Sequence, residues 1–356
     1  MSEKLRIGVI GAGIMGQQYV RIYQDHPYAR VEAVAAKRLL RAEEVAVRFD
    51  VPVATDDWKT ITESDAIDAV CIALPDDQHF AATQSALQHG KHVLIEKPMT
   101  TSLAEAGEIV RLAEASALKV QVAFNHRWLA PYHQGKVSIA AGEIGEPICA
   151  YARKNDTIFV PTEYIDWAHQ TTPAWFLSCH DIDLVSWFFN SEPVEARAWG
   201  VKRVLIERGI DTYDMIQAQV RYANGSIATF ESGWVHPNTF PTMVDSFISV
   251  IGEHGHLHFD RKREALEMST AERFTFPKTF LSSDVFGTLR GAFPSCLDDF
   301  VNCIRKDTPP VVGVRDGRTV TAVLTAIHES LRTGANVPVA AYGGSGTTDL
   351  GVLEHE

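Results

Sequence analysis

Apolar residues recur along this chain in two rhythms, and the change between them falls near residue 127. Before that point, short apolar runs alternate with stretches whose apolar positions recur every three to four residues. The runs at 7–10, 31–35, 69–74, 92–95 and 119–124 read as strands. The run 69–74 shows no polar alternation, so it predicts a strand buried on both faces, and Pro75 ends it. Helical spacing follows the first run through Val20, Ile22 and Tyr23 and returns at 39–49, 78–89 and 102–117. Gly90 stops the third helix, and Ser102 with Glu105 forms a capping box at the start of the fourth. Strand and helix in alternation predict a doubly wound, mostly parallel sheet with right-handed crossovers.

The second rhythm begins with one helix at 131–141 and turns strand-rich from 147. Runs at 213–222 and 226–235 flank Asn224-Gly225, a strong hairpin signal. Runs at 246–251, 257–260 and 265–268 extend the series, and helices at 180–189, 294–305 and 315–333 supply a layer to cover it. The expected fold class is therefore α/β in two parts. An N-terminal doubly wound Rossmann domain spans 1–126. A C-terminal α+β domain with a large open, mostly antiparallel sheet spans 127–346, and 347–356 reads as a polar tail.

Composition narrows the partners. A formal charge of −12 over 356 residues disfavours a nucleic-acid backbone or an anionic membrane. No apolar run approaches the length of a membrane span, and no leader peptide is read at the start. Cys71, Cys149, Cys179, Cys296 and Cys303 are odd in number and form no C-x-x-C pair. They predict a reduced, cytoplasmic protein, with Cys296 and Cys303 in the core of one helix.

The first strand runs into Gly11-Ala12-Gly13-Ile14-Met15-Gly16, a G-x-G-x-x-G turn that opens a helix. Gly11 allows the tight turn, Gly13 lets backbone approach a pyrophosphate, and Gly16 lets helix pack on strand. The helix N-terminus, including Ile14 and Met15, then offers free N–H groups to phosphate. Ligands in such sheets sit at the carboxyl ends of the strands, where Ala36, Leu74, Pro75, Glu96, Lys97 and Asn125 fall. At the end of the second strand, the carboxylate that would bind a ribose 2′-OH is replaced by Ala36, followed by Lys37 and Arg38. Two cations there favour the 2′-phosphate of NADP(H), with NAD(H) as the alternative.

Glu96-Lys97-Pro98 follows a buried strand, with Leu74-Pro75 and Gln78-His79 upstream and His180-Asp181-Ile182-Asp183 far downstream. With the early glycines and the final Asp316-Gly317 helix, this resembles the Gfo/Idh/MocA oxidoreductases, the glucose–fructose oxidoreductase and inositol dehydrogenase family. The resemblance spans nearly the whole chain. It implies a cis Lys97–Pro98 bond, a lysine aimed at the substrate hydroxyl, and a homodimer or homotetramer built through the open sheet. Along the cofactor it places His79 beside the strand-end residues, and it implies that Arg127 helps bind the cofactor or shape the pocket. It also implies a polyol substrate: a sugar, a sugar derivative or a cyclitol.

Chemistry assigns roles to the same residues. Hydride transfer from a secondary alcohol needs the hydroxyl proton removed and the developing alkoxide stabilised. Lys97 is the candidate stabiliser, with Glu96 holding its ammonium or balancing its charge, and His180 is the candidate acid/base. Many relatives carry an aspartate four residues before this histidine, and here Phe176 stands in its place. Asp183 is the expected substitute to orient the imidazole, although the resemblance often makes it structural; Asp166 is an outside candidate, Lys97 alone could carry the proton relay, and Asp181 is expected to face solvent. Asp166, Trp167, Trp175 and Phe176 are expected to line a substrate pocket with Lys97 and His180, since aromatic faces suit sugar and cyclitol rings. His254, His256 and His258 alternate but lack further ligands at metal spacing, so they read as an exposed strand edge rather than a metal site. Two readings compete with a polyol dehydrogenase. One is a cofactor-binding regulator without turnover; the other is a dehydrogenase of a non-sugar such as an aromatic dihydrodiol.

Overall fold

The computed structural model of the chain describes residues 4–342. The first sheet is built from β1 (Leu5–Ile10), β2 (Ala29–Ala35), β3 (Val53–Thr55), β4 (Ala69–Ile72), β5 (His92–Ile95) and β6 (Val120–Val122). Its spatial order is β3-β2-β1-β4-β5-β6, with every recorded pairing parallel. Crossovers are made by α1 (Ile14–Gln24), α2 (Leu39–Phe49), α3 (Lys59–Thr62), α4 (His79–Gln88) and α5 (Leu103–Glu114). The strand order reverses between β1 and β4, which opens a crevice above their carboxyl ends. β4 is buried at all four positions, as its unbroken apolar run requires. Ser102 Oγ accepts the Glu105 N–H at 3.4 Å, closing one half of the expected cap on α5. β3 and α3 are too short to leave a periodic signal, and the sequence pattern gave no hint of either.

The second sheet comprises β7 (Pro147–Thr157), β8 (Pro193–Val201), β9 (Met215–Tyr222), β10 (Ile227–His236), β11 (Val244–Gly252), β12 (His256–Asp260) and a late strand, Val337–Pro338. Its order is β12-β11-β7-β10-β9-β8 followed by that late strand. Only the β7–β10 pair is parallel; the other pairings are antiparallel. Two short hairpins, 268–275 and 283–290, interrupt the excursion after β12. No strand forms at 265–268 beyond its last residue, because Ala265 adopts φ +61° and turns the chain. His256 and His258 share an exposed face of the edge strand β12, whereas His254 lies in the turn before it.

One face of this sheet is covered by α6 (Ala130–Ala140), α7 (Cys179–Phe189) and α9 (Val314–Thr333). α7 is buried at every position but Ser186. The helix between α7 and α9, α8 (Ala292–Lys306), returns to the first domain. Its Phe293, Cys296, Leu297, Phe300 and Val301 join the cluster formed by β1, β2, α1 and α2. Gln121 Nε2 donates to the Cys296 carbonyl at 2.9 Å, fixing that return. The segment 127–346 therefore lends one helix to the Rossmann core. Cys296 and Cys303 are free and buried on α8, as expected of core residues. The polar tail, 347–356, lies outside the described residues. No described helix is long and apolar enough to cross a membrane.

Candidate active site

The glycine turn has the geometry its spacing demands. Gly11 sits at φ +110°, and a Cβ there would lie 2.1 Å from the Ala73 carbonyl oxygen. A Cβ at Gly16 would lie 1.7 Å from the Gly11 oxygen, so helix and turn touch backbone to backbone. Gly13 instead faces open space, with nothing within 4 Å of a built Cβ. No side chain caps α1, leaving its first N–H groups free at that opening. A cradle left bare at Gly13 and closed by backbone at Gly11 and Gly16 fits a pyrophosphate.

That cradle forms one end of a crevice of about 1220 Å³. The crevice is lined by Gly11, Gly13, Ile14, Met15, Ala36, Lys37, Arg38, Leu74, Pro75, Glu96, Lys97, Asn125, Asp166, Trp167, Phe176 and His180. Sixteen of the expected site residues thus meet in one place. They are joined by Tyr164, from the aromatic stretch before α7, and by Arg41 and His126, neither of which was expected. Asp166 is exposed at the rim, and Trp167 packs edge-on against Phe176 at 5.9 Å.

Lys97 ends β5 at a cis Lys97–Pro98 bond. Its Nζ donates to the Phe176 carbonyl at 3.1 Å and lies 4.5 Å from the Phe176 ring centroid. Glu96 does not bond the ammonium, but its charge helps keep the amine protonated. Its carboxylate accepts from Tyr19 Oη at 2.7 Å and from the Lys97 backbone N–H at 3.0 Å. Lys97 makes no ion pair among the described residues, so its charge is available to a ligand. Burial opposes that charge, but Cys179, Asp76 and Glu96 outweigh it and raise the amine's pKa.

His180 lies in the first turn of α7, just after a π-helical turn at Ala174–Ser178. Its ring stands 4.0 Å from that of His126, centroid to centroid. The Nδ1 atoms of both rings are buried without a hydrogen-bond partner among the described residues. Burial first, then nearby positive groups, push both imidazoles well below their ordinary pKa; Lys154 and Lys97 act on each. Both rings are therefore neutral at neutral pH.

Five expectations are corrected here. Asp183 does not orient His180: its carboxylate takes a bidentate pair from Arg127, at 2.6 and 3.0 Å. Arg127 does not reach the cofactor crevice, because it also binds Asp316 at 2.8 Å and the Val311 carbonyl at 3.1 Å. The pair ties α7 to the turn after β6 and to α9. Asp181 faces inward rather than to solvent, buried against Lys154 at 2.6 Å. Trp175 stacks on His328 with centroids 5.3 Å apart, away from the pocket. His79 contacts the Pro98 and Leu74 carbonyls at 2.8 and 2.9 Å, so it joins the loops after β4 and β5 without lining the crevice. Gly16 does not line the crevice and acts through packing, the role its position in the turn predicts.

The sequence reading also passed over a set of charges from the second sheet. On β7, Ala150 and Ala152 are buried under the helices, and the same face continues with Lys154 and Asp156. The run Lys154-Asn155-Asp156-Thr157 is buried throughout. Four consecutive polar residues closing a strand were the available signal, since burial of such groups demands partners or function. Asp156 Oδ1 has no partner among the described residues, and burial pushes this carboxyl up to about 7, against the pull of Lys154 and Lys97. A folded pKa above the unfolded one gives stability that is lost as pH rises through about 7. Asp156→Asn cannot ionise, so its melting temperature relative to the parent should rise between pH 6 and pH 8.5. A difference that stays flat or falls over that range would show that Asp156 ionises freely.

The sequence comparisons agree with this geometry. Residues 5–124 match the Gfo/Idh/MocA family described as an oxidoreductase family with an NAD-binding Rossmann fold. Residues 136–339 match the C-terminal alpha/beta domain of the same family. The scyllo-inositol 2-dehydrogenase (NAD(+)) of Bacillus subtilis is 26% identical over 344 residues, 95% of this chain and 97% of its own. The inositol 2-dehydrogenase of Rhizobium meliloti is 25% identical over 343 residues, covering 94% and 99%. Among solved structures, scyllo-inositol dehydrogenase from Lactobacillus casei with bound NAD(H) and scyllo-inositol superposes with a TM-score of 0.82. That match is 22% identical and covers 95% of this chain and all of the other, so it speaks to the fold. Both halves of the sequence, and the crevice between them, place this chain in the Gfo/Idh/MocA oxidoreductase family.

Proposed function

We propose that this chain moves hydride between NADP(H) and the carbon of a secondary alcohol or ketone on a sugar or cyclitol. The observation that carries the reading is the single crevice shared by the Gly11–Gly16 turn, Lys97 and His180. When bound, the nicotinamide supplies the hydride acceptor or donor. The Lys97 ammonium donates to the substrate oxygen and stabilises negative charge as it develops there. The neutral His180 imidazole accepts the hydroxyl proton in oxidation and returns it in reduction. Phe176 in place of a carboxylate favours the non-catalytic regulator; Lys97 and His180 in one crevice oppose it. A cofactor-absorbance assay over neutral and acidic sugars and inositols separates the two. Turnover of any member supports the enzyme, whereas cofactor binding with no turnover across the panel supports the regulator.

The preference for NADP(H) rests on Lys37 and Arg38. Both are exposed on the crevice wall beside Ala36, where a carboxylate would repel a 2′-phosphate. The relative named for NAD(+) argues the other way. Charge-assisted bonds to phosphate set the expected size: removing both cations should lower kcat/KM for NADP+ by about tenfold or more. The same K37A/R38A variant should leave the NAD+ value within about twofold, because the ribose hydroxyl gains little from cations. Equal efficiencies with the two cofactors, unmoved in the variant, would remove the preference.

A further inference from the structure

A side cavity of about 160 Å³ adjoins the main crevice, sharing Lys97, His126, Phe176 and His180 with it. Its far wall comes from β7, β11 and the excursion after β12. Four cations line it, Lys97, Lys154, Arg261 and Lys278, against one carboxylate, Asp156. The carboxylates that serve these cations stand behind the wall. Lys154 holds Asp181 at 2.6 Å, and Arg261 holds Glu264 at 2.7 Å. Glu264 also accepts the Thr279 and Phe280 backbone N–H groups, at 2.7 and 2.8 Å. Lys278 has only a distant share of that same Glu264, at 3.9 Å, and donates to the Arg261 carbonyl. Asp245, the next acidic group, pairs with Arg153 at 3.0 Å.

Among the described residues, Lys278 therefore shares its one carboxylate with Arg261, and Lys97 makes no ion pair, though Asp76 and Glu96 act on it from a distance. Burial lowers the Lys278 amine to about 8, with Glu264 opposing. The positive groups Lys154, Lys97 and Arg261 also act to lower the pKa of His126 and His180 beside the cavity. Positive charge held away from water is costly unless an anion joins it. A neutral polyol offers hydroxyls but no countercharge, whereas a carboxylate or phosphate matches both the charge and the donor-rich wall.

We infer that the substrate carries an anionic substituent, carboxylate or phosphate, held by Arg261, Lys278 and Lys154 while its reacting hydroxyl lies at Lys97 and His180. This rests on the oxidoreductase reading above and narrows its substrate class to acidic sugars and cyclitols.

Calorimetric titration of the NADPH-saturated protein with matched pairs tests it. One pair is D-glucose and D-glucuronate; the other is myo-inositol and myo-inositol 1-phosphate. In at least one pair the anion should bind about tenfold tighter or more, the scale of a charge-assisted contact. The pair that shows the difference tells carboxylate from phosphate. Lys278→Met should erase most of that advantage and leave the neutral partner's affinity in place. Lys278 is the chosen site because Arg261→Gln would strand the buried Glu264 and risk the fold. Neutral members binding as tightly as their anions, or Lys278→Met weakening both alike, would overturn the inference. Turnover assays on the same compounds with NAD+ and NADP+ keep the two readings apart. A neutral compound oxidised without anion preference sinks the charge inference alone. An anion that binds tightly but is never oxidised sinks the dehydrogenase reading alone.

Discussion

Lys97→Met is expected to lower kcat/KM by about a hundredfold to a thousandfold, the scale of losing a preorganised donor to a developing oxyanion. The methionine keeps much of the side chain's length and apolar body, so packing against Phe176 survives while the ammonium is lost. Cofactor affinity, read by NADPH fluorescence, should stay close to the parent's, because the phosphate cradle lies at the other end of the crevice. Lys97→Arg should not restore the rate, since a planar fork cannot occupy the place of a compact ammonium. His180→Ala should cost about a hundredfold or more, the usual scale for a lost acid/base. In the oxidation direction, the acid limb of the kcat/KM profile should lie below the ordinary histidine pKa of about 6.5, because burial and Lys154 hold the ring neutral. Turnover of Lys97→Met within tenfold of the parent would show that another group stabilises the oxygen.

Asp183→Ala is expected to reduce unfolding free energy by about 3–5 kcal/mol, the range for breaking a buried ion pair by removing one partner. The change leaves the Arg127 guanidinium buried with Asp316 as its remaining carboxylate. Three segments lose a common anchor: α7, α9 and the turn after β6. Urea denaturation followed by circular dichroism reads the loss directly. The defect should fall on stability rather than on kcat per folded molecule, because Asp183 touches neither imidazole. Unchanged unfolding free energy with a large loss of kcat would return Asp183 to the chemistry.

The contrast between Lys97 and Asp183 shows what the sequence can carry. Lys97 was legible because strand ends in a doubly wound sheet face one side, so a short motif fixes a side chain's address. The glycine turn was legible for the same reason, its three positions each answering a separate steric demand. Asp181 and Asp183 were not legible, because α7 is buried nearly all round. A helix without a solvent face gives periodicity no sign to read. Asp181 therefore meets Lys154, and Asp183 meets Arg127, through tertiary contacts across 27 and 56 residues of chain. The same limit hid Lys154, Arg261 and Lys278, which reach one cavity from three places in the sequence. His126 lies between Asn125 and Arg127, both expected at the site, yet the resemblance pointed to Arg127 and not to it. The short 3-10 turn that carries both residues sends Arg127 to α9 and His126 to the crevice. α8 was legible as a helix but not as part of the Rossmann core, since a chain that doubles back leaves no local trace.

That the glycine turn and Lys97 serve one bound nicotinamide cofactor is tested most directly by a crystal structure of the protein with NADPH. The pyrophosphate should rest on the backbone at Gly11 and Gly13. Nicotinamide C4 should face Lys97 and His180, with room for one substrate carbon about 3.5 Å away. A nicotinamide ring turned to the opposite end of the crevice, with Lys97 still bonded to Phe176 and out of reach, would contradict the shared site.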